Sequence, residues 1–161
     1  ASVEGEEQEV HKYLDSMLMA SVDTALASQN AALAAESIGL GVVYLGVMRN
    51  NAKEVSELLN LPKSSYVVFG MAVGIPDPNE PGRLRPRPSQ DVVLHQNGYD
   101  KDKWNSQIDT YEKEFLKFRE DLGLKDKKWS DAVRTASNDM IFMEGRENLS
   151  KTLKTNGFEL R

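Results

Sequence analysis

The residues best suited to chemistry in this chain of 161 residues are three arginines in the stretch RLRPRP. Arg83, Arg85 and Arg87 occupy alternate positions, although the formal net charge of the chain is -5. Pro86 and Pro88 stiffen the backbone that carries them. Alternate side chains of an extended chain point the same way, and guanidinium groups suit phosphate oxygens. The segment is therefore either a phosphate-binding loop or a solvated loop whose arginines pair with surface carboxylates.

A second candidate is the stretch YLGVMRNN, which runs from Tyr44 to Asn51. Its pattern is typical of a strand end, followed by Gly46 and then by the start of a helix. Free backbone N–H groups point outward at such places, which are common ligand positions. Gly46 has no side chain, so a flat ring could lie against its backbone. The alternative is an ordinary strand-to-helix turn.

Side chains that act as acids, bases or nucleophiles form no recognisable pattern. His11 and His95 each stand alone, without a second histidine or a carboxylate at metal-ligand spacing, so no metal site is predicted. The sequence contains no nucleophile elbow and no Walker-type phosphate loop, and no catalytic side chain is predicted. If the protein is an enzyme, a cofactor carries the chemistry and the backbone positions that cofactor.

Composition limits the partners and the compartment. With 25 acidic and 20 basic residues, the chain lacks the broad basic face of a general nucleic-acid binder. It has no cysteine, which fits a reducing cytoplasm. No apolar run reaches the roughly 18 residues that a membrane helix needs. The acidic first ten residues do not resemble a signal peptide. We therefore expect a cytoplasmic protein with neither a nucleic-acid nor a membrane partner.

The length suits one domain over residues 1–161, with residues 1–11 as a disordered or irregular lead-in. The first residue is not methionine, and we expect the chain to be a piece of a longer protein. A long helix is predicted from Lys12 to Ile38, because apolar residues recur at spacings of three and four. Small residues on several of its faces favour a central or intersubunit position. Gly39 and Gly41 are expected to end it.

Two strands and several shorter helices are predicted after this helix. Val42–Met48 is predicted to be a buried strand, and Ser65–Pro76 is predicted to be a second strand. Asn50 or Asn51 should cap a short helix that ends before Pro62. The other predicted elements are a loop over Pro76–Pro88, an extended segment over Asp91–Gln96, and helices over Lys103–Leu122, Ser130–Asn138 and Asn148–Thr155. Two strands alone form a marginal sheet, so further strands are expected upstream or from a second subunit.

Five stretches of the sequence recur in the order and spacing of a known family. They are DTALASQNAALAAESIGLGVVYLGVMRNN, LPKSSYVVFGMAVGIPDP, LRPRP, KKWSDAVR and LKTNGFELR. The chain resembles the FMN-dependent nitroreductase and flavin reductase family, in its larger oxygen-insensitive branch, from about Met17 to Arg161. The basic N-terminal segment of the family has no counterpart here. The resemblance therefore implies the C-terminal part of the family fold.

The resemblance implies an α+β fold built as a three-layer sandwich, an intertwined homodimer, and two FMN molecules bound at the dimer interface. Four residues would present their backbone to the flavin ring: Tyr44, Leu45, Gly46 and Val47. The N–H groups of Gly46 and Val47 would face the flavin N5 edge. Val47 stands where the family usually has a second glycine, so a side chain would lie near the ring.

The resemblance also implies phosphate contacts. Arg85 and Arg87, with Pro86 between them, match the basic pair that holds the FMN phosphate, although the first of that pair is usually lysine. The basic loop for the NADPH 2′-phosphate would fall around residues 119–128, where Arg119 and Lys125 are candidates. Acidic residues interrupt this loop, so the preference for NADPH over NADH stays open.

The implied function is an FMN-dependent NAD(P)H oxidoreductase that reduces nitroaromatics, quinones or free flavin by ping-pong hydride transfer. The flavin would carry the chemistry, and the physiological acceptor would be a small molecule that the sequence does not identify. One alternative is a non-catalytic or cofactor-free fragment that keeps only the dimerisation scaffold. Another is a flavin enzyme of the same fold with a different reaction, such as flavin destruction or dehalogenation.

Overall fold

The computed structural model describes residues 9–80 and 82–161. The chain divides into two compact units. The first combines the chain up to residue 81 with Met143–Arg161, and the second is Gly82–Phe142. Both units contain helices, and the one sheet found among the described residues belongs to the first unit.

The first unit opens with a 3₁₀ turn, Glu9–Lys12, and the long helix α1, Leu14–Ser37. The helix confirms the prediction, and its many alanines explain it, because alanine has the highest helix propensity. It ends where Gly39 takes a φ of +85°, a conformation that glycine adopts without strain. The N–H of Gly39 donates to the carbonyl of Glu36 at 3.0 Å. The rest of the predicted lead-in, residues 1–8, lies outside the described part.

Most apolar side chains of α1 are accessible in this chain, whereas Ala32 is buried. The exposed apolar residues are Leu14, Leu18, Met19, Val22, Leu26 and Leu33. Four of them recur at every fourth position and form a stripe along the helix, which we call the α1 stripe: Leu14, Leu18, Val22 and Leu26. A continuous apolar stripe of this length is what a helix presents to a protein neighbour.

Two short strands form an antiparallel pair in the first unit. Strand β1, Gly41–Leu45, pairs with β2, Gly70–Gly74, in a register that sets Leu45 opposite Gly70. Both strands are shorter than predicted, and the chain turns into a 3₁₀ turn, Gly46–Arg49, before the predicted strand end. The predicted burial of β1 is wrong for this chain, in which Val43 is 53% exposed. In the described part of the chain β1 pairs only with β2, and a two-stranded sheet buries little of its own surface.

The C-terminal segment packs against the helix that follows β1. Helices α2, Ala52–Leu58, and α6, Leu149–Thr155, have their predicted positions. Asn51 occupies the predicted N-cap position of α2, but its side chain makes no capping hydrogen bond there. The side chain of Asn50 is instead an acceptor for Arg146, which precedes α6. The C-terminal segment therefore reaches the turn that follows β1.

The second unit is built on an aromatic core. Helices α4, Lys103–Asp121, and α5, Trp129–Asn138, confirm the predicted helices. Tyr111 and Phe115 of α4 are 6% and 3% exposed, and the ring of Tyr111 lies 5.6 Å from that of Trp129. The rings meet edge to face, the arrangement that aromatic quadrupoles favour.

The predicted extended segment over Asp91–Gln96 is wrong in its first half. Gln90–Val93 forms a single helical turn, α3, and the N–H of Leu94 donates to the carbonyl of Gln90 at 2.8 Å. The turn buries Val92 to 8% exposure. Burial of one valine by a local turn outweighs the strand preference of the VVL run, because no neighbouring strand pairs with it in the described chain.

Candidate functional site

The first candidate segment lies where β1 ends. Leu45 is the last residue of β1, and Gly46 and Val47 begin the 3₁₀ turn. The first N–H groups of such a turn have no acceptor within it, so they are available to a ligand. The Tyr44 ring meets the ring of Phe69 edge-on at 5.1 Å, and Val47 is 56% exposed. The structure thus places all four predicted residues on one strand-to-turn segment with an accessible side.

Two arginines that the sequence did not single out converge on Gly46. A Cβ atom on Gly46 would lie 3.3 Å from Nη2 of Arg49 and 3.8 Å from Nη2 of Arg146. Arg49 comes from the same 3₁₀ turn, and Arg146 begins the 3₁₀ turn Arg146–Asn148 before α6. Two guanidinium groups therefore flank the glycine whose open face was predicted to receive a ring. We call Arg49 and Arg146 the arginine pair.

Each member of the arginine pair is anchored by an uncharged oxygen. Nη1 of Arg49 donates to the carbonyl of Val68, and Nε of Arg146 donates to Oδ1 of Asn50 at 2.7 Å. Among residues 9–80 and 82–161, neither arginine forms an ion pair with a carboxylate. Both positive charges therefore remain available to an anion, for which guanidinium groups provide directed donors.

The second candidate segment, Arg83 to Arg87, is an exposed loop of the second unit. The carbonyl of Pro86 accepts a hydrogen bond from the Tyr111 hydroxyl at 3.2 Å, which ties the loop to α4. The guanidinium carbon of Arg85 lies 5.3 Å from the centre of the Phe115 ring, a cation–π contact. In the described chain, none of the loop arginines pairs with a carboxylate.

The loop arginines do not all share one surface. Arg83 lines a shallow groove whose other side consists of α4 residues, among them Glu114, Lys117 and Asp121. Arg85 instead stacks on Phe115. Arg83 and Arg85 therefore have different surroundings, although they belong to the same loop.

Arg119 and Lys125, the predicted NADPH contacts, lie on either side of the turn that ends α4. Nε of Arg119 donates to the carbonyl of Lys125 at 2.9 Å. The carbonyl of Arg119 accepts from the N–H of Leu124, and Gly123 takes a φ of +64° between them. Arg119 thus has a structural task in closing this turn, while the Lys125 side chain is exposed.

Glu112 is the most buried carboxylate described, and it serves the fold of the second unit. It accepts hydrogen bonds from the backbone N–H groups of Trp129 and Ser130, at the start of α5. Burial alone would raise the pKa of Glu112, but hydrogen bonds from the side chain and backbone of Ser130, the backbone bond from Trp129 and the nearby charge of Lys128 together lower it. Its carboxylate is therefore kept ionised as a helix cap and is unsuited to donate a proton.

The described residues hold no group of three or more side chains suited to bind a metal ion. Within the same ranges, no helix combines the length and the apolar character needed to cross a membrane.

Two models of one protein family match the sequence. The model described as nitroreductase family matches residues 5–75, and the one described as nitroreductase family, C-terminal domain, matches residues 85–161. The NADPH-dependent oxidoreductase of Staphylococcus haemolyticus is 34% identical over 142 residues, which are 86% of this chain and 57% of that protein.

Solved structures of oxidoreductases are also similar to this chain. The hypothetical oxidoreductase YcnD of Bacillus subtilis matches 99% of this chain and 63% of its own, with a TM-score of 0.87 and 30% identity. The NADPH:FMN oxidoreductase of Vibrio harveyi complexed with NAD+ matches 93% of this chain and 59% of its own, with a TM-score of 0.72 and 34% identity. These similarities confirm the predicted α+β fold. The chain spans less than two thirds of the length of each of these proteins.

Proposed function

Because the chain belongs to the nitroreductase family, we propose that it forms part of an FMN-dependent oxidoreductase that uses NADPH or NADH as electron donor. The observation that carries the proposal is the strand-to-turn segment at Gly46, flanked by two arginines without carboxylate partners in the described chain. Bound FMN would supply the redox chemistry, taking a hydride from the donor and passing electrons to a small-molecule acceptor. The residues of this chain would bind and orient the participants.

The strand-to-turn segment fits a flavin ring. Gly46 has no side chain to cover its backbone, and a Cβ atom there would approach Nη2 of Arg49 to 3.3 Å, so the guanidinium group lies directly beside this backbone. We assign to Gly46 and Val47 the donation of N–H groups to the N5 edge of the ring. Tyr44 and Leu45 present backbone to the same ring in this proposal. Donors fixed in a turn need no rearrangement when charge develops on a ligand.

The loop of the second unit suits the FMN phosphate. Arg85 and Arg87 form no ion pair with a carboxylate among the described residues, and the carbonyl of Pro86 accepts a hydrogen bond from the Tyr111 hydroxyl. A loop anchored in this way loses less conformational entropy when it binds a phosphate. We therefore assign the phosphate to Arg85 and Arg87.

The arginine pair is assigned to the electron donor. The FMN phosphate already has its basic loop, and the pair lies beside the glycine assigned to the flavin N5 edge. The anionic pyrophosphate of NADPH or NADH suits two unneutralised guanidinium groups. Arg119 and Lys125 remain candidates for the additional 2′-phosphate of NADPH. The name of the Staphylococcus haemolyticus relative, NADPH-dependent oxidoreductase, favours NADPH for this chain.

A homodimer is proposed from the α1 stripe, whose leucines are half exposed or more in the single chain. Burial of a long apolar helix face is typical of obligate dimers. We propose nitroaromatics, quinones or free flavin as acceptors, and a cytoplasmic location.

The experiment that tests the proposal is an FMN titration of the purified chain, followed by NADPH oxidation with menadione or nitrofurazone. Quenching of flavin fluorescence at one FMN per chain, with donor oxidation that depends on the acceptor, would support it. No flavin binding would favour a fragment without cofactor, the second candidate, which the coverage of 57% of the Staphylococcus haemolyticus relative suggests. Full flavin occupancy without turnover of either acceptor would contradict the proposed reaction.

A further inference from the structure

We propose that Asn50 is a positioning residue, which holds Arg146 in the orientation needed to bind an anionic group of the electron donor. The proposal rests on the proposed function for the identity of the anion. The positioning itself follows from contacts of Asn50, Gly145 and Arg146 that do not depend on a cofactor.

The hydrogen bond from Arg146 to Asn50 fixes one edge of the guanidinium group. Nε of Arg146 donates to Oδ1 of Asn50 at 2.7 Å, across 96 positions of sequence. Because Nε is the donor used, both terminal nitrogens of Arg146 remain free of this bond and can face a ligand in a forked arrangement. The acceptor is an uncharged amide, so the bond orients the guanidinium group without neutralising it.

Asn50 is rigidly connected to the turn at Gly46. Its own N–H donates to the carbonyl of Val47 at 2.9 Å, which closes the 3₁₀ turn Gly46–Arg49. Arg49 and Asn50 are adjacent, and each has a separate task. Arg49 contributes one guanidinium group beside Gly46, and Asn50 holds the other, that of Arg146.

Gly145 brings the two backbones together. It has a φ of +77°, and a Cβ atom there would lie 1.7 Å from the carbonyl oxygen of Asn50. No side chain fits at this distance, so the close approach depends on glycine. Since Gly145 directly precedes Arg146, the contact sets the distance from which Arg146 reaches Asn50.

The hydrogen bond to Asn50 also counters the electrostatic repulsion between the two positive charges of the arginine pair. Nη2 atoms of both arginines lie within 4 Å of one point above Gly46. Like charges this close repel, and a free Arg146 side chain would turn toward solvent. Asn50 opposes that movement, and an anion between the two groups would relieve the repulsion.

The test compares Asn50→Leu, which removes the acceptor, with Asn50→Asp, which keeps an acceptor oxygen. Asn51→Leu is the matched control, because the neighbouring exposed Asn51 makes no side-chain cap. In the ¹⁵N-labelled protein, the Nε–Hε signal of Arg146, assigned with Arg146→Gln, should be protected from solvent exchange. Protection should be lost in Asn50→Leu and kept in Asn50→Asp and in the control.

Inorganic pyrophosphate serves as a probe of anion binding that needs no flavin. It should shift the Arg146 signal, and Asn50→Leu should weaken its binding about tenfold, the scale of one hydrogen bond to a charged group. With NADPH, the same variant should raise KM by a similar factor and leave kcat nearly unchanged. In the Arg146→Gln background, Asn50→Leu should have no further effect on KM.

An Arg146 signal whose protection is unchanged in Asn50→Leu would overturn the positioning role, as would equal pyrophosphate affinity in both proteins. Failure of the protein to bind FMN or to oxidise NADPH would instead contradict the proposed function. The pyrophosphate titration still decides the role of Asn50 in that case.

Discussion

Glu112 holds the start of α5 by hydrogen bonds that a neutral side chain reproduces only in part. Its carboxylate, which projects from α4, is 6% exposed and accepts from the N–H groups of Trp129 at 3.1 Å and Ser130 at 3.0 Å. Lys128, the residue before α5, provides no side-chain cap of its own. The substitution Glu112→Gln keeps the size of the side chain, removes the charge and leaves a single acceptor oxygen.

The expected loss of stability follows from these contacts. A hydrogen bond to a charged group contributes about 1.5–3 kcal/mol, and a neutral one contributes about 1 kcal/mol. A negative charge at a helix N-terminus adds about 0.3–1 kcal/mol. The substitution also removes the free-energy cost of burying a charge, and this gain partly offsets the loss of stability. We expect Glu112→Gln to lower the free energy of unfolding of the second unit by about 2 kcal/mol at pH 7.

The stabilisation by Glu112 depends on pH in a defined direction. Its pKa is lowered in the folded state, because the hydrogen bonds from Ser130 and Trp129 outweigh the effect of burial. A carboxyl group with a lowered folded pKa stabilises the fold above its unfolded pKa, roughly 4.3 for glutamate. This contribution disappears as the pH falls through the folded pKa. The difference between wild type and Glu112→Gln should therefore shrink in acid.

Tryptophan fluorescence during urea unfolding is the measurement. Trp104 and Trp129 are the two tryptophans of the chain, and their rings lie 5.0 Å apart in the second unit. The signal therefore reports the unit that contains Glu112. Glu114→Gln, at an exposed position of α4, is the control. Equal urea midpoints for wild type and Glu112→Gln at pH 7, or a difference that persists undiminished at low pH, would refute the reasoning.

Three further changes test other parts of the molecule. Arg87→Gln should weaken FMN binding about tenfold through loss of a charge-assisted phosphate contact, measured by flavin fluorescence against the exposed control Arg134→Gln; equal affinities would contradict the phosphate assignment. Gly145→Ala should lower the free energy of unfolding by about 2–4 kcal/mol, from overpacking and a left-handed backbone, measured by circular dichroism in urea; unchanged stability would contradict the close backbone contact. Leu26→Glu in the α1 stripe should convert a dimer to a monomer in sedimentation velocity, and a variant that stays dimeric would exclude the stripe as the interface.

The sequence predicted the helices well because their signals are local. Alanine content and apolar spacing determine α1, and the aromatic face of α4 determines its packing on Trp129. Such patterns repeat along one element and do not require knowledge of its neighbours. The strands were predicted less well, because the burial of β1 depends on what covers it. Val43 is exposed here for that reason.

Parts of the candidate site could also be predicted from sequence, because their signals are local. Gly46 and the loop from Arg85 to Arg87 belong to short stretches whose composition is informative by itself. No local pattern distinguishes Arg146, because its significance depends on a distant partner. The nearest signal was Arg49 within YLGVMRNN, a basic residue directly after a predicted ligand-binding turn.

The role of Asn50 could not be predicted from its sequence neighbours, because it depends on a partner far away in the chain. Asparagine before a helix is a strong capping signal, since its side chain competes for free backbone N–H groups. Asn51 occupies the N-cap position of α2, whereas the side-chain oxygen of Asn50 accepts from Arg146, and Gly145 lets the C-terminal backbone approach the Asn50 carbonyl more closely than any side chain would allow. The long-range contact therefore gives Asn50 a role that its sequence neighbours do not indicate, at the place where two positive charges lie side by side.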